Sequence, residues 1–235
     1  MLVSSFDTKY SQTAVKYEYL DNNFTNLISK DLRFSRIFTS VIENQKLDLS
    51  SDIVLRSDMT GQVINTILTH DFKSEHFLYY MGDVFKPDLF NKSIKQYRQH
   101  GLEIINRPKM ESFIEVIKIL DKLLRKILKN NFVYIFTDPK ITSKSKFIFK
   151  SSIPHNNKIK MFTNAFSKVV RSPYELNLEK NFFSKDYHQD IFFYVYSNKS
   201  KKILAQGGGY HYKKNKKKID GFGFSCNVDN LAEII

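Results

Sequence analysis

Cysteine is nearly absent: Cys226 stands alone among 235 residues. A single thiol excludes a disulfide framework and a zinc site built from several thiolates. Tryptophan is missing, and eight glycines with five prolines are too few for a collagen-like or low-complexity chain. No apolar run approaches the roughly 18 residues that suggest a membrane span. The start, MLVSSFDTKYSQTAVKYEYL, lacks the basic opening and unbroken apolar stretch of a secretory signal. A soluble cytoplasmic protein without a membrane role is the expectation. Acid is also scarce, with 24 Asp and Glu against 37 Lys and Arg, for a net charge of +13. That balance points to an anionic partner, nucleic acid included. It also fits a biased genome, because Lys, Phe and Tyr are all abundant. What is present excludes global disorder: 42% hydrophobic and 14% aromatic residues are enough for a core. The length fits one large domain or two small ones.

Apolar spacing predicts a helix over 8–30, with Val15, Leu20, Phe24, Leu27 and Ile28 on its buried face. Residues 34–42 and 52–56 read as strands. Ser57 or Asp58 then caps a helix running to about Leu68. Two long strands, 76–86 and 95–106, flank a polar loop containing Pro87. Asn106 and Pro108 open a helix to about Lys129, whose apolar face runs from Phe113 to Leu128. VYIF at 133–136 is a strand closed by Asp138 and Pro139. The polar stretch 141–186 reads as a small irregular insertion or loops, with one helix near 159–170. Short strands at 190–197, 201–206 and 219–226 precede a terminal helix capped by Asn227. Locally paired strands with interspersed helices predict an α+β domain around an antiparallel sheet.

Few residue patterns suggest chemistry. In QHGLE, 99–103, alternation along a strand puts Gln99, Gly101 and Glu103 on one face. A glycine between an amide and a carboxylate leaves a hollow with polar walls, suited to an ammonium or imidazole N–H. An amphipathic strand facing solvent explains the same spacing. Asp58 reads first as a helix-cap carboxylate and second as an acid reaching into a cleft. AQGGGY, 205–210, is a turn or bulge needing positive φ, or a place where backbone approaches a ligand. It lacks the elements of a phosphate-binding loop, and GFGFSCN lacks dinucleotide-fingerprint spacing. Lysines 201, 202, 213, 214, 216, 217 and 218 flank the glycines as a solvated hairpin tip or an anion-binding patch. The six histidines show no metal-ligand spacing, and no nucleophile motif occurs. Neither a metal, a cofactor nor a catalytic residue is expected.

Taken in order, LRSDMTGQV, FLYYMGDVFK, KQYRQHGLEIIN, ILAQGGGY and GFGFSCNVDNL resemble the catalytic core of histidyl-tRNA synthetase. They resemble still more its non-aminoacylating paralogue, the ATP phosphoribosyltransferase regulatory subunit of histidine biosynthesis. The resemblance covers roughly 50–235 and is weaker at 1–49, where the first-motif proline is missing. It implies an antiparallel sheet flanked by helices, like that of class II aminoacyl-tRNA synthetases. The departures separate the paralogues. Adenylation needs arginines to stabilise charge on ATP phosphates. Lys86, Asn230 and Phe183 stand where the family's second-motif, third-motif and histidine-specific arginines fall, and GGRYD has become GGGYH at 207–211.

The resemblance therefore implies a regulatory subunit and no enzyme in its own right: one trimmed class II core over 1–235, with the small insertion at 141–186 and no anticodon-binding domain. It carries a histidine pocket onto Asp58 and Thr60 at the substrate ammonium, Gln99 as a second amino-group contact, and Glu103 at the imidazole. Tyr187 and His188 match the family's tyrosine pair, with His188 replacing the second tyrosine, and Tyr210 follows the glycines. The implied partners are the short-form ATP phosphoribosyltransferase catalytic subunit in a hetero-octamer, a second copy as homodimer, and L-histidine as effector, with tRNA not a partner. The rivals are a divergent histidine-activating enzyme and a basic RNA-binding relic of a synthetase.

Overall fold

The computed structural model describes residues 6–43, 54–70, 73–88, 93–137, 157–177, 188–214 and 217–235. The chain runs α1 (Phe6–Ile28), β1 (Ser35–Arg36), β2 (Ile42–Glu43), β3 (Val54–Leu55), α2 (Thr60–His70), β4 (His76–Asp88), β5 (Ser93–Ile105), α3 (Lys109–Leu128), β6 (Phe132–Thr137), α4 (Asn157–Val169), β7 (Tyr174–Leu176), β8 (His188–Ser197), β9 (Ile203–Lys214), β10 (Lys217–Asn227) and α5 (Val228–Ile234). Eight strands form one sheet in the order β1-β4-β5-β10-β9-β8-β6-β7, and β2 pairs with β3 apart from it. The interior pairings are antiparallel; β1 joins β4 and β7 joins β6 in parallel at the two edges. This is the α+β class expected, a mainly antiparallel sheet flanked by helices.

Side-chain alternation gives the sheet two different faces. Leu102, Ile104, Phe222, Phe224, Phe193, Val195, Tyr134 and Phe136 point to the main core, which α1, α3, α4 and α5 supply with Leu20, Phe24, Phe113, Leu120, Phe166 and Leu231. Phe113 sits at its centre, edge-on to Phe162 at 4.8 Å and to Phe222 at 5.5 Å. The opposite face carries a smaller cluster, where Met59, Val63, Ile64 and Ile67 of the α2 region cover Leu78, Tyr80, Ile105 and Tyr210. Only part of this second face is apolar.

A polar network fixes α1 to the sheet. His100, buried beneath Phe24, meets Asp21 at 2.7 Å through Nε2, and the Arg98 guanidinium pairs with the same carboxylate. Burial works against ionising Asp21, yet His100 and Arg98 together hold its carboxyl down at about 2. Tyr17 donates to Asp229 Oδ1 at 2.6 Å, while Asp229 Oδ2 accepts the Arg98 backbone N–H at 2.7 Å. At the start of α5, Asn227 Oδ1 accepts the Asn230 N–H at 3.0 Å, the N-cap expected. Asn227→Ala is expected to cost about 1 kcal/mol, read as a shift in urea midpoint at unchanged slope.

Several expectations are corrected. Residues 34–42 are not one strand: only Ser35–Arg36 and Ile42–Glu43 pair. Arg56 explains the break, because its guanidinium takes the carbonyls of Thr39 and Ser40, at 2.7 and 3.3 Å. Val15, assigned to the buried face of α1, is exposed. α3 opens just after Asn106 and Pro108: Pro108 holds the cap position, and Asn106 turns the chain, with φ 60 and its N–H given to Asp220 O. The triple glycine is not a turn and needs no positive φ: β9 continues through it, while the β8–β9 register shifts between His188 and Phe192, opposite Gly208 to Tyr210. The glycines serve close packing, since a Cβ at Gly207 would overlap the Gly223 carbonyl and press Phe193. The lysines are consequently not one cluster. Twelve residues of strand separate Lys201 and Lys202 from the β9–β10 end, roughly 40 Å. Within 141–186 the helix expected near 159–170 is present as α4, followed by the short strand β7, and Phe162 and Phe166 join the main core. Asp138, Pro139 and Phe183 lie outside the described residues.

Candidate functional site

The polar part of the second face is built by glycines. Cross-strand register places Tyr80 opposite Gly101, Glu103 opposite Gly223 and Tyr210 opposite Gly221. At each glycine an added Cβ would collide with the large partner: with the Tyr80 ring, with Glu103 Oε2, with the Tyr210 ring. Three bulky polar side chains therefore lie down into three slots and converge. The hollow expected over Gly101 is filled by the Tyr80 ring, a correction to the spacing argument. The cavity lies beside it instead.

Glu103 is the buried centre, 2% exposed. Its Oε1 accepts from Thr60 Oγ1 at 2.9 Å and from the Tyr80 hydroxyl at 3.3 Å. Burial pushes its carboxyl up to about 7, against the pull of the Thr60, Tyr210 and Tyr80 hydroxyls. Thr60 opens α2, and Asp58 Oδ1 accepts the Thr60 N–H at 3.1 Å. The two readings of Asp58 thus coincide: the same half-buried residue secures the helix start and lines the cavity. Gln99 is 8% exposed, and its Oε1 has no hydrogen-bond partner among the described residues. An orphaned, buried acceptor is costly unless a donor arrives, so its position favours a ligand N–H.

The cavity measures about 370 Å³ and is lined by Asp58, Thr60, Gln99, Glu103, Phe192 and Tyr210, among others. Five of the seven expected site residues, Asp58, Thr60, Gln99, Glu103 and Tyr210, therefore meet here. The backbone of His188 pairs with that of Tyr210 across β8 and β9. Tyr187 lies outside the described residues. Tyr80, Gln206 and Ser225 were missed by sequence reading. The signal for Tyr80 is the glycine opposite it, which is visible only once strand register is known. An acid pair, a buried amide and hydroxyls in one small cavity form an acceptor-rich site for a small cation with several N–H donors.

A second cavity of about 470 Å³ adjoins the first, sharing Lys86, Gln99, Gln206 and Ser225. Lys86 and Asn230 both line it. Asn230 Nδ2 is given to the Ile203 carbonyl at 2.8 Å, and Arg98 is held by Asp21. Among the described residues no group of three His, Cys, Asp or Glu is placed to hold a metal, and no helix is long and apolar enough to cross a membrane.

The family described as histidyl-tRNA synthetase matches residues 18–145. No curated protein matches the chain. Several solved structures are similar to it. One is an ATP phosphoribosyltransferase regulatory subunit/histidyl-tRNA synthetase from Bacillus halodurans, at 15% identity and TM-score 0.76, covering 99% of this chain and 81% of that one. Another is an ATP phosphoribosyl transferase (HisG:HisZ) complex from Thermotoga maritima, at 15% identity and TM-score 0.71, covering 89% and 96%. A third is apo S. aureus histidyl-tRNA synthetase, at 17% identity and TM-score 0.68, covering 97% and 67%. These likenesses establish the class II synthetase-like fold.

Proposed function

The chain belongs to the histidyl-tRNA synthetase family, and from that premise we propose that it is a regulatory subunit of ATP phosphoribosyltransferase and not an aminoacylating enzyme. The observation that carries this reading is the contrast between the two adjoining cavities. The first retains an acceptor-rich, amino-acid-sized site around Glu103, Gln99, Thr60 and Asp58. The second offers Lys86 and Asn230 where the family's adenylating arginines would stand. A lysine is a single point charge and an asparagine carries none, so neither replaces a forked guanidinium at a phosphate.

In this reading L-histidine lies in the first cavity. Its ammonium meets Asp58, Thr60 and the orphaned Gln99 Oε1, and its ring N–H meets Glu103. Tyr210 closes the site, with Tyr187 and His188 in the roles that the resemblance implies. The protein is a cytoplasmic homodimer that binds the short-form catalytic subunit in a hetero-octamer, activates it, and passes on feedback inhibition. Histidine shifts that equilibrium only by binding one state of the complex more tightly than the other. The similarity to the T. maritima HisG:HisZ complex over 96% of that chain's length supports the choice of partner.

The similarity to S. aureus histidyl-tRNA synthetase makes histidine adenylation the rival activity. The purified chain is expected to co-elute with the short-form catalytic subunit and to show no histidine-dependent ATP–pyrophosphate exchange. Exchange above background without co-elution would replace the regulatory reading with the enzymatic one.

A further inference from the structure

Glu103 is a buried carboxyl whose immediate partners are all neutral. Thr60 and Tyr80 donate to Oε1, the Tyr210 hydroxyl stands beside it, and Gly223 lies under Oε2. Among the described residues no Lys, Arg or His pairs with it. A buried carboxylate without a counter-ion is disfavoured, so the empty site keeps its proton around neutral pH; the upward shift to about 7 agrees. The titratable groups on the surrounding elements are few. Asp58 precedes α2 and lines the same cavity. Lys86 of β4 lines the same cavity, but it makes no ion pair with Glu103. Tyr210 is on β9, and β8 brings His188 into register opposite it.

We propose that Glu103 hands its proton to the ring of the bound ligand, so that the cavity takes up a neutral imidazole and holds it as imidazolium against the Glu103 carboxylate. This rests on the histidine reading above. Below pH 7 the carboxyl O–H bond breaks and an N–H bond forms at the unprotonated ring nitrogen, with no proton exchanged with solvent; above pH 7, where the carboxyl is already ionised, the same ion pair forms by taking one proton from water. The geometry favours this direction. Two hydroxyls already donate to Oε1, which stabilises the ionised carboxylate. The imidazolium then supplies the counter-ion that the empty site lacks, and the ion pair forms in a buried setting where its attraction is poorly screened. Glu103 thereby acts as a selector for a ring of near-matched basicity: an amino acid whose side chain cannot accept a proton leaves the carboxyl neutral.

The test uses L-histidine labelled with 15N in the ring, bound to the full chain at pH 8, where a free imidazole of pKa about 6.5 is neutral. Both ring nitrogens of the bound ligand are expected at the shift of the protonated ring, and to remain there in His188→Gln. In Glu103→Gln the bound ring is expected to show the split pair of a neutral imidazole. A neutral ring on the wild-type protein overturns the proposal. So does a protonated ring in Glu103→Gln, or a neutral one in His188→Gln, which would move the proton's source to His188. The wild-type and His188→Gln arms decide the matter alone if Glu103→Gln fails to fold. Absence of any bound signal overturns the histidine reading and this proposal with it, a failure distinct from a bound neutral ring.

Discussion

Replacing Glu103 with Gln is expected to remove a pH dependence of stability that the wild-type protein carries. The folded carboxyl titrates at about 7 against an ordinary value of 4.5, because burial penalises its ionised form. Below pH 4.5 it is protonated in both folded and unfolded chains and contributes no penalty. Between 4.5 and 7 the unfolded chain ionises first, and the wild type loses stability as pH rises. Above 7 the penalty is complete, roughly 3 kcal/mol for a shift of this size. The glutamine does not titrate, so the difference in unfolding free energy between wild type and Glu103→Gln should fall by that amount from pH 4.5 to 8. Urea unfolding at a series of pH values measures it. A difference that stays flat would mean that Glu103 is ionised and well solvated in the folded protein. The same variant is expected to bind histidine roughly 10- to 100-fold more weakly at neutral pH, the usual worth of one hydrogen bond to a charged group. Co-elution with the catalytic subunit should persist, since Glu103 faces the cavity floor.

Gly223→Ala is expected to damage the site and the fold together. Its Cβ would overlap Glu103 Oε2 and stand 2.5 Å from the Leu102 carbonyl. Leu102 belongs to β5, which is paired on both sides by β4 and β10, so its backbone has no free direction in which to retreat. Overpacking of this kind costs about 1–3 kcal/mol. The carboxyl must also turn out of the reach of Thr60 and Tyr80, so histidine affinity should fall with stability. Gly61→Ala, at a position with nothing within 4 Å, is the contrasting change. It is expected to leave stability unchanged or to add up to about 1 kcal/mol, because alanine favours helix over glycine. Equal losses from both substitutions would show that the glycine slots do not shape the cavity.

These two positions also mark how far the sequence could be read. α3 was legible nearly to its ends because Phe113, Val116, Ile117, Leu120 and Leu124 repeat at helical spacing and the chain reverses at Lys129. Strands β4 and β5 were legible as two long segments separated by a polar stretch, and the common face of Gln99 and Glu103 followed from the period of two along a strand. What was hidden depends on register between distant strands. Gly101, Gly221 and Gly223 look alike in the sequence as breakers. Only the pairing shows that they are seats for Tyr80, Tyr210 and Glu103. The broken strand at 34–42 was hidden for a related reason: its carbonyls are claimed by Arg56, a side chain sixteen residues or more away. The triple glycine misled because glycine was read as freedom to turn, whereas here it is absence of bulk. The resemblance located five cavity residues that spacing alone left ambiguous. It did not reveal that Tyr80 fills the hollow.

The charge of +13 found no single use. Lys217 caps the end of α2 by donating to the Leu68 carbonyl at 2.6 Å, Lys218 pairs with Asp220, and Lys202 pairs with Glu233 at the far end of β9. These three lysines are engaged in contacts at strand ends.

In the proposed function, this chain regulates a phosphoribosyl transfer that it does not itself catalyse. The direct measurement is the rate of ATP condensation with phosphoribosyl pyrophosphate by a short-form catalytic subunit, with and without this chain, each across a histidine titration. A higher rate is expected when the chain is added, with histidine inhibition of the mixture and weaker inhibition when Glu103→Gln replaces the wild type. An unchanged rate with no complex formed would contradict it.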